Sequence, residues 1–265
     1  MPGHNKDVMV YRFDPKKKYF LISLRLENKP GELGNIANLL GIRGINILEG
    51  FFGAISTGEQ GVMGFFVEST NERLTADWLK DFLNSSVGVS DVEVKTGVEG
   101  FLTDSLNFPV TWNNGDRAVL MRVEGLRAMM NAVRDAGPDA AGASLYAQGR
   151  SYGIVAWRDL FAVHMPKTKE GLAEMLRIYF ATGWGRVELQ ALDLASKKAY
   201  IRVDEGFECG GLDTGKPESN FMRGHLSGAM SVFFGEEVRA TETKCVSKGD
   251  PHCEFMISQG AAEMV

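Results

Sequence analysis

Two of the three cysteines lie eight residues apart near the carboxy terminus, a spacing that suits a paired site. Cys245 and Cys253 flank Gly249-Asp250-Pro251, a turn sequence that would join two short strands and bring the thiols side by side. Paired thiols suit zinc, which binds thiolate sulfur at about 2.3 Å. They suit a disulfide equally well if the Cα atoms approach within about 7 Å, and inert buried thiols are the third interpretation.

The composition indicates a folded protein that binds neither nucleic acid nor membrane. The chain has 265 residues, of which 44% are hydrophobic and 24% charged, with a net charge of -5. At roughly 150 residues per domain, this length predicts two domains. The sequence has neither the basic stripe of a nucleic-acid-binding surface nor the ~18–20 apolar residues of a membrane span. Because the start also lacks the apolar core of a secretory signal, we expect a cytoplasmic protein whose cysteines serve metal or redox chemistry.

The first half follows the order strand, helix, strand, strand, helix, strand, which is the ferredoxin-like split βαβ unit. We place this unit at residues 18–98, after an amino-terminal extension at 1–17 and before a linker at 99–108. Asn28 is predicted to cap the first helix, with Pro30 in its first turn. The predicted elements are strands at Tyr19–Leu26, Ile45–Ser56, Val62–Ser69 and Val89–Val94, helices at Leu33–Leu40 and Trp78–Leu83, and a hairpin turn at Thr57–Gly61.

The second half, residues 109–260, predicts an α+β domain in which helices pack on an antiparallel sheet. Gly224 and Gly228 lie four apart on one predicted helix and would allow a second backbone to approach closely. The predicted helices are Glu124–Ala136, Ser144–Ala162, Leu172–Thr182 and Phe221–Phe234, and the predicted strands are Ala118–Val123, Val187–Leu194, Tyr200–Val203, Val238–Val246 and Cys253–Ile257.

Three short motifs of the first half are the run from Asn28 to Leu33, the pair Leu39-Leu40 and the run from Gly44 to Ile47. Together they resemble the ACT domain family. The resemblance implies either binding of an amino acid or another small effector, or a role limited to dimerisation. Backbone amides exposed at a helix start would suit the carboxylate of such an effector. The effector contacts that the resemblance implies are Asn28, Gly31, Leu33 and Asn46.

Four motifs of the second half carry another resemblance. They are Gly183-Trp184-Gly185, the strand end Val203–Glu208, the helical Gly224-His225-Leu226-Ser227-Gly228, and the ending Glu242…Cys245…Gly249-Asp250…Cys253. Together they resemble the 4-vinyl reductase domain. The resemblance implies a small-molecule sensor module with an apolar cavity for aromatic or hydrocarbon ligands, near a zinc that three cysteines and a glutamate hold.

The metal ligands that this resemblance implies are matched in part. Glu242, Cys245 and Cys253 match three of them, whereas Ser219 occupies the position of the remaining cysteine. On a regular strand Glu242 and Cys245 would face opposite sides, so their convergence requires a bulge or a bend. We choose the third thiol of the chain as the fourth ligand and keep two histidines as alternatives. These candidates are Cys209, His252 and His225.

Methionine and aromatic side chains are frequent in the second half, and such sets usually form an ordinary core. A Met-rich apolar lining also adapts to hydrophobic ligands, and the resemblance implies a pocket near Gly183–Arg186 and Gly224–Met230. The candidate pocket residues are Trp184, Phe221, His225 and Met230. For His225, a packed and hydrogen-bonded core histidine is the simpler interpretation.

We expect a ligand-binding regulatory protein without catalysis, because the sequence has no helix-turn-helix pattern, phosphate-binding loop or ATPase motif. Its output would pass through an unidentified partner protein, and both halves resemble domains that pair, which predicts a homodimer. Two alternatives stay open. One is an enzyme or accessory protein that acts on a tetrapyrrole or aromatic substrate, with a zinc that activates water. The other is a redox sensor in which oxidation of Cys245 and Cys253 expels the metal.

Overall fold

The computed structural model describes residues 6–53, 60–112, 115–160 and 166–259 of the chain. The chain divides into two compact units, Met1–Leu120 and Met121–Val265, which we call the amino-terminal unit and the carboxy-terminal unit. Both combine helices with antiparallel sheets, so the predicted α+β class is confirmed. Among the described residues, no helix combines the length and the apolar character that crossing a bilayer requires.

The amino-terminal unit has the predicted ferredoxin-like order of elements. Its described elements are β1 (Tyr11–Phe13), β2 (Tyr19–Glu27), α1 (Glu32–Ile42), β3 (Ile45–Gly53), β4 (Gln60–Ser69), α2 (Ala76–Asn84), β5 (Val89–Thr96) and β6 (Phe101–Thr103). The larger sheet has the strand order β3-β4-β2-β5, and each neighbouring pair is antiparallel.

Strand β2 lies inside that sheet and is buried on both faces. Phe20 and Ile22 point to one face and belong to the main core of the unit, together with Ile36 of α1. Leu21 points to the other face, because successive strand residues alternate, and it clusters with Leu102 of β6. The strand is therefore the element that joins the two apolar clusters of the unit.

Strands β1 and β6 pair with each other as a separate two-stranded antiparallel sheet, with Tyr11 opposite Thr103. They lie in the segments 1–17 and 99–108, which the sequence presents as an extension and a linker. These two segments therefore contain paired strands. The proposed domain bounds themselves stay a prediction.

The predicted start of α1 is wrong. The helix begins after Gly31, which has a φ of +96° and serves as a left-handed N-cap that glycine adopts without a Cβ penalty. Asn28 therefore does not cap the helix, and Pro30 precedes its first turn. The predicted hairpin turn at Thr57–Gly61 falls largely on residues 54–59, which lie outside the described residues.

The carboxy-terminal unit packs helices on one antiparallel sheet, as predicted. Its described elements are α3 (Val123–Ala136), α4 (Pro138–Leu160), α5 (Lys169–Ala181), β7 (Arg186–Asp193), β8 (Lys198–Asp204), α6 (Asn220–Phe234), β9 (Arg239–Lys244), a short 3-10 helix (Val246–Lys248) and β10 (Cys253–Ser258). The sheet has the order β7-β8-β10-β9. Buried side chains of α5, α6 and the sheet belong to one core.

Two predicted boundaries of this unit are wrong. Residues 118–122 form neither strand nor helix, and Val123 begins α3, so the strand Ala118–Val123 is absent. Val119 is 80% exposed, which shows that this apolar run does not enter the core. Helix α4 begins at Pro138, earlier than the predicted Ser144, because proline suits the first turn of a helix. Its predicted end at Ala162 lies outside the described residues.

Helices α4 and α6 touch each other through glycines, which confirms the predicted close approach. A Cβ on Gly224 would lie 2.0 Å from the carbonyl oxygen of Tyr146, and Gly228 has a similar backbone contact. In the opposite direction, a Cβ on Gly153 of α4 would lie 2.2 Å from the carbonyl oxygen of His225. The two backbones are therefore in direct contact, and α6 has a fixed position against α4.

Candidate metal centre

Three thiols and one carboxylate meet in the carboxy-terminal unit. One ligand atom from each of Cys209, Glu242, Cys245 and Cys253 lies within 4.8 Å of all the others. The three cysteines are free and buried. This group can hold a metal ion, and its members are the four residues that the sequence singles out.

Strands β9 and β10 bring three of these residues together. Cys253 begins β10, and Cys245 follows directly after β9. The pairing of β9 with β10 shifts register between Lys244 and Glu242, so one residue bulges out of the ladder. That bulge turns Glu242 to the side of Cys245, which confirms the expected irregularity. Asp250 holds the turn between the strands by accepting a hydrogen bond from the Cys245 N–H at 2.9 Å.

The fourth residue, Cys209, lies in the segment that follows β8. Arg127 of α3 donates a hydrogen bond from Nε to the carbonyl oxygen of Phe207 at 2.5 Å. The same guanidinium lies against Gly210, where a Cβ would come within 2.1 Å of its Nη2 atom. Helix α3 therefore fixes the backbone on both sides of Cys209.

Glu208 anchors the same segment to the start of α6. Its carboxylate accepts hydrogen bonds from the N–H groups of Phe221 and Met222 at 2.9 and 2.8 Å. Arg134 of α3 lies 3.3 Å from the same carboxylate. Burial nevertheless raises the pKa of Glu208 to about 7. The sequence alone does not reveal this role, because the partners of Glu208 lie on two distant helices and leave no local pattern.

The distances between the thiols fit a tetrahedral ion better than a disulfide. Cys245 Sγ lies 3.5 Å from Cys209 Sγ and 3.8 Å from Cys253 Sγ. A disulfide needs an S–S distance of about 2.05 Å. Two sulfurs bound at about 2.3 Å in tetrahedral geometry are about 3.8 Å apart. The three thiols are therefore already at the spacing of zinc ligands.

The carboxylate of Glu242 is the clearest sign that this group suits a cation. Its Oε2 atom accepts a hydrogen bond from the Ser219 N–H at 3.2 Å. Within the described part of the chain, its Oε1 atom is buried and has no hydrogen-bond partner. A buried acceptor without a partner is costly, and a metal ion among the thiols would satisfy it. The residues present therefore fit a metal.

The thiols already share their protons unequally. A hydrogen bond from Cys209 lowers the pKa of Cys253 to about 7, and this bond also raises the pKa of Cys209. Burial raises the pKa of Cys245. Because metals bind thiolate rather than thiol, Cys253 is the sulfur best prepared for binding.

The alternative ligands lie differently. Ser219 is beside the thiols, with Oγ 2.8 Å from Cys209 Sγ. His252 is on the turn and has Nε2 4.0 Å from a carboxylate oxygen of Glu254, which does not belong to the group. His225 lies in an aromatic cluster described below. Of these candidates, Cys209 is the residue that the fold brings into the group.

A small cavity adjoins the metal ligands. Its volume is about 10 Å³, which is enough for about one water molecule. Cys209, Cys253, Ser219 and Glu208 contribute polar atoms to its wall, and the rest of the wall is largely apolar. A ring-sized ligand does not fit into this space.

Six rings form an aromatic cluster around Trp184, which follows α5. The ring centroid of Trp184 lies 4.9 Å from that of His225 and 5.0 Å from that of Phe207. The other members of the cluster are Tyr152, Tyr179 and Phe221. Of the predicted pocket residues, Trp184, Phe221 and His225 therefore meet, and Met230 is fully buried elsewhere on α6. Their contacts with a ligand stay a prediction.

His225 is a packed, hydrogen-bonded histidine, as the simpler interpretation expects. Its Nδ1 atom lies 3.0 Å from the hydroxyl of Tyr179. Burial lowers the pKa of His225 to about 3 and raises that of Tyr179. Both groups are therefore neutral near pH 7. The sequence gives no signal for Tyr179 and Tyr152 as its neighbours, because they come from separate helices without a shared motif.

Acid is expected to destabilise the carboxy-terminal unit through His225. Its pKa is about 3 in the folded chain and near 6.5 when unfolded. Between these values the unfolded chain binds a proton that the folded chain does not, so stability falls as the pH drops below 6.5. For this group alone, a change from pH 7 to pH 5 costs about 2 kcal/mol.

Urea unfolding at the two pH values measures this effect in the wild type and in His225→Gln. Glutamine does not titrate in this range and can still hydrogen-bond to Tyr179, so the variant is expected to lose about 2 kcal/mol less than the wild type. Metal content is measured at both pH values, because thiolate ligands also take up protons. Equal pH dependence of the two proteins at equal metal content would contradict the assignment.

The predicted effector residues of the amino-terminal unit lie around the start of α1 and on β3. Gly31 is the N-cap of α1, and Leu33 in its first turn is 45% exposed. Asn28 is half-buried on the loop between β2 and α1. The side chain of Asn46 donates to Glu68 at 3.3 Å, so a neighbouring strand already binds it. Effector binding stays a prediction.

Comparison with known families identifies the segment that holds the candidate metal centre. Residues 199–259 match the family model of the 4-vinyl reductase domain, the family that the motifs of the second half resemble. All four candidate ligands lie inside the matched segment. No curated protein matches the chain.

Several solved structures are similar in shape to part of the chain. The phenol-responsive sensory domain of the transcription activator PoxR with phenol is 20% identical, covers 56% of this chain and 79% of that chain, and has a TM-score of 0.48. A vinyl-4-reductase family protein from Methanocaldococcus jannaschii is 19% identical, with coverages of 54% and 85% and a TM-score of 0.39. Subunit 3 of a trafficking protein particle complex from Naegleria fowleri, covalently bound to palmitic acid, is 16% identical, with coverages of 52% and 95% and a TM-score of 0.42. These likenesses carry no argument about the site or its ligand.

Proposed function

We propose that the carboxy-terminal unit is a sensory module that binds a small apolar or aromatic molecule close to a structural zinc. One observation carries this proposal above all. Three free thiols and a carboxylate with an unpartnered buried oxygen converge, among the described residues, inside the segment that matches the 4-vinyl reductase domain family. The aromatic cluster around Trp184 supports the second half of the proposal.

Zinc is the metal that the donor set favours. Thiolate ligands select zinc over magnesium or calcium, and three sulfurs with one carboxylate fill a tetrahedral shell. A filled shell leaves no open position for substrate, so the ion acts structurally and cross-links the segments that supply its ligands. Cys209 would tie the loop after β8 to the hairpin of β9 and β10. The metal would thereby fix the wall next to the start of α6.

The ligand would bind at the aromatic cluster rather than in the cavity beside the thiols, because that cavity accommodates about one water molecule. Tyr152 is the most exposed ring of the cluster, with 44% of its surface accessible. Its ring contacts both Trp184 and His225. Movement of Tyr152 would open a space bounded by aromatic faces and by the neutral His225–Tyr179 pair. Such a space suits an aromatic ring with one hydrogen-bonding group.

Calorimetric titration with phenol and toluene tests ligand binding. We expect a dissociation constant below about 1 mM for at least one of them. Trp184→Leu removes the ring that contacts the five other members of the cluster, and its affinity should fall about tenfold or more. Trp78→Leu is the matched control, because Trp78 is a half-exposed tryptophan of the other unit that stacks on Phe82. Absence of binding by the folded wild type, or equal losses in both variants, would contradict the proposal.

In this proposal the amino-terminal unit contributes effector binding or dimerisation, and a partner protein carries the output. The ferredoxin-like order of its strands and helices supports an ACT-like module. The homodimer and the partner protein both stay predictions.

A further inference from the structure

One side chain outside the ligand group contacts every member of it. The hydroxyl of Ser219 lies 2.8 Å from Cys209 Sγ, 3.8 Å from Cys245 Sγ and 3.6 Å from Cys253 Sγ. The N–H of the same residue donates to Glu242 at 3.2 Å. Ser219 is itself buried, with 3% of its surface exposed.

The charge of a loaded centre explains why such a residue is needed. A divalent ion with three thiolates and one carboxylate carries a net charge of about -2, and buried charge is costly unless hydrogen-bond donors compensate it. Two of the sulfurs have backbone donors. The N–H of Glu218 hydrogen-bonds to Cys245, and the N–H of Val246 hydrogen-bonds to Cys253.

The remaining thiolate, Cys209, has Ser219 as its closest donor, at 2.8 Å. A second serine hydroxyl nearby has a different role. Ser247 Oγ lies 2.9 Å from Cys245 Sγ, but it donates to the carbonyl oxygen of Lys216 at 2.8 Å. A hydroxyl has one proton, so Ser247 has none left for a thiolate. In the described part of the chain, the acceptors within reach of the Ser219 hydroxyl are the three sulfurs.

We propose that Ser219 is the positioning residue of the metal centre: its hydroxyl donates to the Cys209 thiolate, and its N–H orients the Glu242 carboxylate toward the ion. The inference rests on the metal site proposed above. It assigns to this serine the control of metal affinity and of the electron density on sulfur, without direct ligation. Hydrogen bonds that orient metal ligands typically change metal affinity about 10–100-fold.

Cobalt(II) titration of the reduced full chain tests this inference, because thiolate-to-cobalt charge-transfer bands report both binding and the state of the sulfur. Ser219→Ala is expected to bind cobalt about 10–100-fold more weakly. Its charge-transfer band should move to lower energy, since a thiolate that has lost a hydrogen bond gives up electrons more easily. The band should keep its intensity per bound ion, because three thiolates still bind.

Two variants serve as matched controls. Ser247→Ala removes a hydroxyl at a similar distance from sulfur whose proton is used elsewhere. Ser227→Ala removes a buried hydroxyl of α6 that bonds to Arg223 and Ala240 instead. Both are expected to keep the wild-type band and affinity. Ser219→Thr retains a hydroxyl and should restore most of the affinity and the band position, which a loss of packing alone would not explain.

The outcomes separate the two proposals. A wild type that binds no cobalt through sulfur overturns the metal site itself. A wild type with the thiolate band and a Ser219→Ala variant with unchanged affinity and band position overturn only the role of Ser219. An equal loss in Ser247→Ala also overturns that role, because any neighbouring hydroxyl would then suffice.

Discussion

Replacement of Cys245 by serine is expected to empty the metal centre. The sulfur of Cys245 contacts both other thiols, at 3.5 Å from Cys209 and 3.8 Å from Cys253. Structural zinc uses four donors, and a serine hydroxyl does not replace a thiolate at neutral pH. Elemental mass spectrometry should show a decrease from about one ion per chain to almost none.

The same variant is expected to destabilise the chain, because the free energy of binding a structural metal contributes to folding. Without the ion, the buried Oε1 atom of Glu242 is left without a partner among the described residues. We expect a loss of about 3 kcal/mol, or a decrease of about 10 °C in the unfolding temperature. Thermal unfolding with and without added zinc measures this loss, and added zinc should stabilise the wild type but not the variant.

The double variant Cys245→Ser/Cys253→Ser provides a sharper comparison. Residues that form one site are not additive, so the second substitution should add little once the ion is gone. A Cys245→Ser chain with full metal content would contradict the site. Additive losses at zero metal content would show that the cysteines act only through packing.

Gly224→Ala is expected to give the largest loss of stability away from the metal centre. The added Cβ would lie 2.0 Å from the carbonyl oxygen of Tyr146, a backbone atom of α4 that cannot move alone. The two helices must separate to make room, and overpacking of this kind costs about 1–3 kcal/mol, at times more. We expect a loss at the upper end of that range, measured by urea unfolding.

Gly125→Ala is the matched control for that substitution. Gly125 lies inside α3, and nothing in the described part of the chain lies within 4 Å of the position of its Cβ. Because alanine favours a helix by about 1 kcal/mol over glycine, this variant should be as stable as the wild type or more so. If both variants have equal stability, the helix contact through glycine is not tight in solution.

Much of the amino-terminal fold is encoded locally. Alternation of apolar residues predicts β2, since a strand between two apolar clusters needs both of its faces. The start of α1 was not predictable from the same rules, because Asn28 is a good capping residue by type. The backbone instead uses Gly31 in a left-handed conformation, a choice that depends on the exit direction of the chain from β2.

In the carboxy-terminal unit, boundaries failed where an apolar run is not buried. The run from Ala118 to Val123 has strand-like composition, yet Val119 and its neighbours are exposed and the following helix starts at Val123. Composition alone does not show whether a run reaches a core. Pro138 breaks one helix but begins the next, because the same missing N–H that ends α3 is tolerated in the first turn of α4.

The candidate metal centre was predictable for the ligands that are close in sequence and less so for the distant one. Cys245 and Cys253 are paired by a turn, which the sequence displays. Cys209 depends on Arg127 and Glu208, whose partners lie far away in the chain. The aromatic cluster shows the same limit, since Tyr152 and Tyr179 meet only after α4 and α5 have packed.

The most direct test of the metal centre is the metal content of the full wild-type chain together with the X-ray absorption spectrum of the bound ion. We predict about one zinc per chain, with three sulfurs at about 2.3 Å and one oxygen at about 2.0 Å. A chain purified under reducing conditions that contains no metal and has three titratable thiols would contradict this centre. A bound zinc without sulfur among its ligands would contradict it equally.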